Sequence, residues 1–277
     1  LNSPKVNKQY GRDNLPDQIL TALGNAGKDL DNLTRADLGT FDEFHIGGLA
    51  ETRILISKIP DFQQGSKVLD MGSGLGGPAR TLADEFDCEV VGIDLTQEYV
   101  KAATVLTERV GLSDKITFKQ GDVLDMPFED NSFDVVWTQF VGMNIEAKQT
   151  FYEQAYRVVR DGGYLAFHEV MAGENDGLIF PVFWADVAEV NHLRSPETVQ
   201  EILADVGFEQ IEWVDLTQAS VEFFEKMLTA RKQQTEKPPL GFNIFVGEET
   251  PLKAQNIIKN LDAGHIKVVQ GIYKANK

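Results

Sequence analysis

Apolar residues in the first forty positions recur at helical spacing. Leu15, Ile19, Leu20 and Leu23 fall on one helix face, and Leu30, Leu33 and Leu38 predict a second, short helix. Asp, Asn and Gly punctuate both, so residues 1–46 read as a loose helical arm or lid ahead of the main domain, 47–277. An aromatic loop at 41–48 leads into a helix over 49–59, which Pro60 closes.

From residue 67 the pattern switches to short apolar runs alternating with amphipathic ones. It predicts strands at 67–71, 89–95, 115–120, 133–138 and 163–170, with helices at 79–86, 98–111 and 148–159 between them. Ser195 as N-cap and Pro196 in the first turn start a further helix that Gly207 ends, and a sixth strand follows at 210–216. Residues 217–263 break the rhythm with two helical stretches, 220–233 and 251–262, around a Pro-Pro-Leu-Gly turn at 238–241. A seventh strand is predicted at 266–273. The alternation is that of an α/β protein with a doubly wound, mostly parallel sheet. The insertions at about 172–194 and 217–263 are expected to be helical lid elements.

Charge narrows the ligand. Lys and Arg total 26 against 43 Asp and Glu, a net charge of −17. Such a surface repels nucleic acid and anionic membranes, so the expected partner is a small molecule, with the protein itself a monomer or homodimer. One cysteine, Cys88, cannot form a disulfide within the chain, and no apolar run reaches membrane-spanning length. The expected compartment is the cytoplasm. Four His and one Cys lie scattered without ligand spacing, so no metal site is expected.

The glycine loop carries the most chemistry. In Val68-Leu69-Asp70-Met71-Gly72-Ser73-Gly74-Leu75-Gly76-Gly77, residues Gly72, Gly74 and Gly77 satisfy G-x-G-x-x-G. Glycines admit a ligand close to the backbone, and the following helix N-terminus favours negative charge. A nicotinamide dinucleotide would put its diphosphate there, but Asp70 at the end of the strand would repel it. A carboxylate at that point suits a ligand with an ammonium group and no phosphate, such as S-adenosylmethionine. Asp94 ends the second strand in Gly92-Ile93-Asp94-Leu95, where a carboxylate can accept ribose hydroxyls in either ligand. In Gly121-Asp122-Val123, Asp122 can accept an adenine amino group and the Val123 N–H can reach a ring nitrogen. Three acids after three successive strands stand at the edge where open α/β sheets bind ligands.

Those motifs, with Phe133-Asp134-Val135-Val136-Trp137 and Arg157-Val158-Val159-Arg160-Asp161-Gly162-Gly163, resemble the class I S-adenosylmethionine-dependent methyltransferases over roughly residues 47–216. Within them the chain is similar to the small-molecule group of sarcosine/dimethylglycine, sterol and ubiquinone/menaquinone enzymes. The resemblance implies a Rossmann-like seven-stranded sheet whose last strand runs antiparallel between the fifth and sixth. It implies S-adenosyl-L-methionine as donor, S-adenosyl-L-homocysteine as product, and a donor site of Asp70, Gly72, Ser73, Gly74, Asp94, Leu95, Asp122, Val123 and Gln139. Betaine-forming relatives carry Ser-Gln-Asp and a nearby His after the fourth strand. Here Thr138-Gln139-Phe140 keeps the Gln and lacks the acid.

Methyl transfer from a sulfonium is a direct displacement that depends mainly on alignment. The candidate acceptor residues are His45, Asn144, Glu169 and Trp184, the last in an aromatic group with Phe180 and Phe183. His168, at the end of the fifth strand, is the candidate general base. A nicotinamide-dependent dehydrogenase and a non-catalytic cofactor-binding protein on the same fold are the rival readings.

Overall fold

A computed structural model of the protein describes residues 14–39, 41–233 and 249–277. All seven expected strands form: β1 (Lys67–Met71), β2 (Glu89–Asp94), β3 (Ile116–Gln120), β4 (Phe133–Gln139), β5 (Val159–Ala172), β6 (Phe208–Asp215) and β7 (Ile266–Ala275). The described helices are α1 (Leu15–Asn25), α2 (Arg35–Leu38), α3 (Gly48–Ser57), α4 (Gly77–Glu85), α5 (Gln97–Arg109), α6 (Lys148–Val158), α7 (Pro196–Val206), α8 (Thr217–Gln233) and α9 (Thr250–Asp262). The 238–241 turn and residues 1–13 lie outside the described residues.

The strands make one sheet in the order β3-β2-β1-β4-β5-β7-β6. Pairs among β1 to β5 are parallel, and β7 is antiparallel to both β5 and β6. Alternate residues feed opposite faces. Val68, Val135, Trp137 and Ala166 pack with Leu55 and Ile56 of α3 and Leu82 of α4. Leu69, Val136, Leu165 and Phe167 pack on the other side with Phe151 and Tyr152 of α6 and Leu203 of α7. Because both faces are covered, the central strands read as continuous apolar runs.

Three expectations change. The arm is not loose where described: Leu15, Ile19 and Leu23 are fully buried and pack with Leu75 of the glycine loop and Ala102 and Leu106 of α5. The 172–194 insertion is not helical; its one regular piece is a 3-10 turn, Ala188–Val190. Side chains of α9 hold its backbone instead. Asn260 accepts from the Ile179 N–H, and Asn256 donates to the Pro181 carbonyl. Finally, β5 starts at Val159 rather than 163, paired with Phe133 across a bulge that absorbs Gly162 and Gly163. Among the described residues no helix is long and apolar enough to cross a membrane, and no group of three or more His, Cys, Asp or Glu could hold a metal ion.

Gly77, the third glycine of the motif, lets another segment cross. A Cβ there would stand 2.2 Å from the Asp42 carbonyl oxygen. Gly77→Ala is therefore expected to destabilise the protein by about 1–3 kcal/mol, the cost of overpacking a close contact. Thermal unfolding would show this as a lower Tm; an unchanged Tm would mean that the crossing gives way freely.

Candidate active site

The carboxyl ends of β1 to β4 open onto a cavity of about 1420 Å³, counting its mouth. Asp70, Asp94, Asp122 and Gln139 all line it, as do Gly72, Ser73, Gly74, Leu95 and Val123 between and after them. Every donor-site residue expected from the sequence therefore meets at one place.

The polar atoms there show what is missing a partner. Asp70 is buried and its Oδ2 has no hydrogen bond. Burial, then Glu43 and Asp94, raise its pKa to about 8. Ser73 Oγ and Gln139 Nε2 are also buried and unpartnered. The other end of the Gln139 amide is fixed, since Oε1 accepts from Trp137 Nε1 at 2.8 Å and from Thr52 Oγ1 at 3.2 Å. An unpaired carboxylate beside two free donors fits the ammonium and carboxylate of an amino-acid group. Asp94 is oriented by its neighbours: Oδ2 accepts the Gly74 N–H at 2.9 Å and Oδ1 the Thr96 N–H at 2.8 Å. Burial raises its pKa, and those two N–H groups oppose the shift. A Cβ on Gly74 would meet nothing within 4 Å, so the backbone there faces open space. Asp122 accepts from the Leu124 N–H, which fixes its turn. These residues fit S-adenosylmethionine.

The segment before α3 supplies a group that was only partly foreseen. His45 lines the cavity, and both its nitrogens are engaged. Nε2 shares hydrogen bonds with Glu43 at 2.9 Å and Thr52 at 3.1 Å, and Nδ1 with the Ile46 carbonyl at 3.2 Å. Glu43 also accepts from Thr81 Oγ1 at 2.6 Å. Asp42, on the same wall, takes Arg80 and Arg35, each at 2.8 Å. The signal available for both acids was their place between Phe41 and Phe44.

His168 and Glu169 fall elsewhere than expected. Neither is on the cavity wall. His168 is fully buried behind the rings of Phe140 (4.9 Å) and His45 (5.8 Å), with both nitrogens unpartnered. Burial, and then His45, hold its pKa well below 6.5. An imidazole so placed cannot take a proton from an acceptor in the cavity, so the general-base role is withdrawn. Glu169 accepts the Val141 and Gly142 N–H groups rather than facing an acceptor. Burial raises its pKa to about 7, against the pull of those N–H groups and of Lys148. Lys148 donates to the Gly142, Ile145 and His192 carbonyls, and burial lowers its pKa to about 8. Together they clamp the 141–145 turn.

That turn and the two insertions form the apolar part of the wall. Phe140 sits at φ 57°, its N–H held by the His168 carbonyl, and its ring lines the cavity. Asn144 and Trp184 line it too, but Asn144 Nδ2 donates to the Trp184 and Val190 carbonyls and Trp184 Nε1 to Asn191. Phe44, Met143, Phe223, Phe224 and Ile257 complete this side and were not foreseen.

Residues 69–167 match the family model described as a methyltransferase domain. The chain is 30% identical over 178 residues to a sarcosine/dimethylglycine N-methyltransferase from Aphanothece halophytica, covering 63% of each chain. It is 38% identical over 107 residues to a sterol 24-C-methyltransferase from Aspergillus fumigatus, covering 39% of this chain and 28% of that one. The matches thus span less than two thirds of these relatives' lengths. A phosphoethanolamine N-methyltransferase from Haemonchus contortus, solved with phosphomonomethylethanolamine and S-adenosylhomocysteine, shares the fold at a TM-score of 0.69 and 18% identity. That match covers 97% of this chain and 62% of that one.

A buried imidazole that stays neutral leaves a mark on stability. Below pH 6.5 the unfolded chain takes up a proton at His168 and the native protein does not. Stability therefore falls as pH falls, by roughly 1.4 kcal/mol per unit from this group. Urea unfolding at pH 7.5 and 5.5 should show His168→Leu losing about 1 kcal/mol less than the parent over that range. Equal losses would mean that His168 titrates normally in the native state.

Proposed function

We propose that the chain, whose residues 69–167 match the methyltransferase-domain model, is a class I S-adenosylmethionine-dependent methyltransferase that methylates a small-molecule acceptor by alignment, without a general base. The observation that carries the donor assignment is the unpaired, buried Asp70 carboxylate at the first glycine, ringed by Asp94, Asp122 and Gln139. When bound, S-adenosylmethionine would supply a methyl group already activated for direct displacement by an acceptor lone pair, with S-adenosylhomocysteine as the leaving group.

The chain's own part is placement. Asp70 would hold the ammonium and Ser73 and Gln139 the carboxylate, while Asp94 and Asp122 would hold the nucleoside. His45, Glu43 and Thr52 fix the Gln139 amide from the other side. Phe183, Trp184, Phe223, Phe224 and Ile257 of the two insertions give the acceptor side an apolar wall, which would serve alignment. Both His45 nitrogens are occupied, so neither imidazole near the site is free to act as base. A diphosphate at the glycine loop would face Asp70, which counts against the dehydrogenase reading. Similarity to sarcosine/dimethylglycine enzymes raises an amino-acid amine as one acceptor class, but such an acceptor needs a cation for its carboxylate, and among the described residues no Lys or Arg lines the cavity.

Two measurements test the donor site. Asp94→Asn should weaken S-adenosylhomocysteine binding at least about tenfold, since a charge-assisted hydrogen bond is worth roughly 1.5–3 kcal/mol. Asp70 has a pKa of about 8 in the free protein and must be ionised beside an ammonium. Binding near pH 7 should therefore release a proton, and affinity should rise from pH 6 toward 8. Calorimetry in phosphate and in Tris would reveal the release as a buffer-dependent enthalpy, lost in Asp70→Asn. A buffer-independent enthalpy in the parent would remove Asp70 from that role. Turnover is read as S-adenosylhomocysteine formed on an acceptor panel, and none on any acceptor, with the donor bound, would favour the non-catalytic reading.

A further inference from the structure

We infer that the acceptor is an uncharged, largely apolar molecule held in an aromatic chamber beside the donor site; this rests on the methyl-transfer reading. The cavity wall is divided by chemistry. Its ionisable residues are Asp42, His45, Asp70, Asp94, Asp122 and Tyr99, on the 42–45 segment, the ends of β1 to β3 and α5. Beyond Gln139 the wall becomes a chain of rings. Phe44 meets Phe183 edge-on at 6.4 Å, Phe183 stacks on Phe224 at 6.3 Å, and Phe224 meets Phe223 at 5.5 Å. Phe44, Phe183 and Phe223 keep part of their surface exposed.

Among the described residues no Lys or Arg lines this cavity. The cations packed behind the wall are committed. Arg80 is fully buried against Asp42, Lys148 donates to three carbonyls, and Lys253 pairs with Asp186 at 2.5 Å. A carboxylate or phosphate entering the chamber would lose its water and meet aspartates across the cavity, with no cation among the described lining residues to repay it. An ammonium could rest on ring faces, but it would then lie against the donor's positive sulfur. A neutral molecule meets neither penalty, and the rings reward its apolar surface. Amino-acid and phosphate-ester acceptors are thereby disfavoured, although proteins similar to this one carry names of both kinds.

N-phenyl-1-naphthylamine, a neutral probe that brightens in apolar surroundings, tests this on the full chain saturated with S-adenosylhomocysteine. One probe should bind per chain and take energy from tryptophan emission. Phe183→Ala and Phe223→Ala should each weaken the probe about tenfold and leave S-adenosylhomocysteine affinity unchanged, with Phe183→Leu retaining most of the binding. Millimolar sarcosine, dimethylglycine or phosphoethanolamine should not displace the probe. Displacement by any of them, no probe binding, or binding that neither alanine variant weakens would overturn the proposal. If calorimetry shows that S-adenosylhomocysteine itself does not bind, the methyl-transfer reading fails. The chamber is then judged by the same probe on the ligand-free protein.

Discussion

A guanidinium with no access to water governs how this protein is assembled. Arg80, on the helix that follows the glycine loop, is fully buried, and burial lowers its pKa against the pull of Asp42. It donates to Asp42, to the Leu75 carbonyl and to Thr107. Removing one member of a buried pair leaves a stranded charge, at a cost of about 3–5 kcal/mol. Asp42 must therefore come to Arg80, and the 41–46 segment is drawn across Gly77, where only a hydrogen leaves room. Phe44 and His45 reach the cavity as a result. One ion pair thus couples the arm, the glycine loop and the acceptor wall.

Burial of charge has a different outcome on the two sides of the site. Around Arg80 and around Lys148 and Glu169 the charges compensate each other or bond to backbone, and the result is rigidity in the 42–46 segment and the 141–145 turn. At Asp70 nothing compensates, and the carboxylate is held in a state that a cation would relieve. Fixed walls and a buried acid with no cation beside it suit displacement chemistry, because reacting atoms must be brought into line before any bond changes.

Much of this was legible in the chain. Strand ends carrying Asp70, Asp94 and Asp122 follow from short apolar runs stopped by an acid, a local signal that needs no tertiary knowledge. The position of β7 came from resemblance, since periodicity says nothing of strand order. The His168 assignment failed because a strand-end residue can lie a layer beneath the wall. Gln139, His168 and Gln270 are cross-strand partners in one row, and only Gln139 reaches the cavity. What covers the other two is His45 and α3, with Glu51 of α3 bonded to Gln270. The 172–194 insertion differs from the helical expectation because its order comes from Asn256 and Asn260, 75 and 81 residues from the carbonyl and N–H they hold. No window along the sequence contains both partners.

The place of β7 in the sheet bears on how the protein is made. Among the described residues β6 touches the rest of the sheet only through β7, which follows it in sequence. While the polypeptide is still being synthesised, β1 to β5 can pair as they emerge, each new strand finding an earlier neighbour. β6 then emerges before its only neighbour, and the edge of β5 stays open until Ile266–Ala275 has been made. During that interval a hydrophobic edge is exposed to other nascent chains. The sheet therefore closes late, with β6 and β7 added together to a sheet that β1 to β5 have already begun.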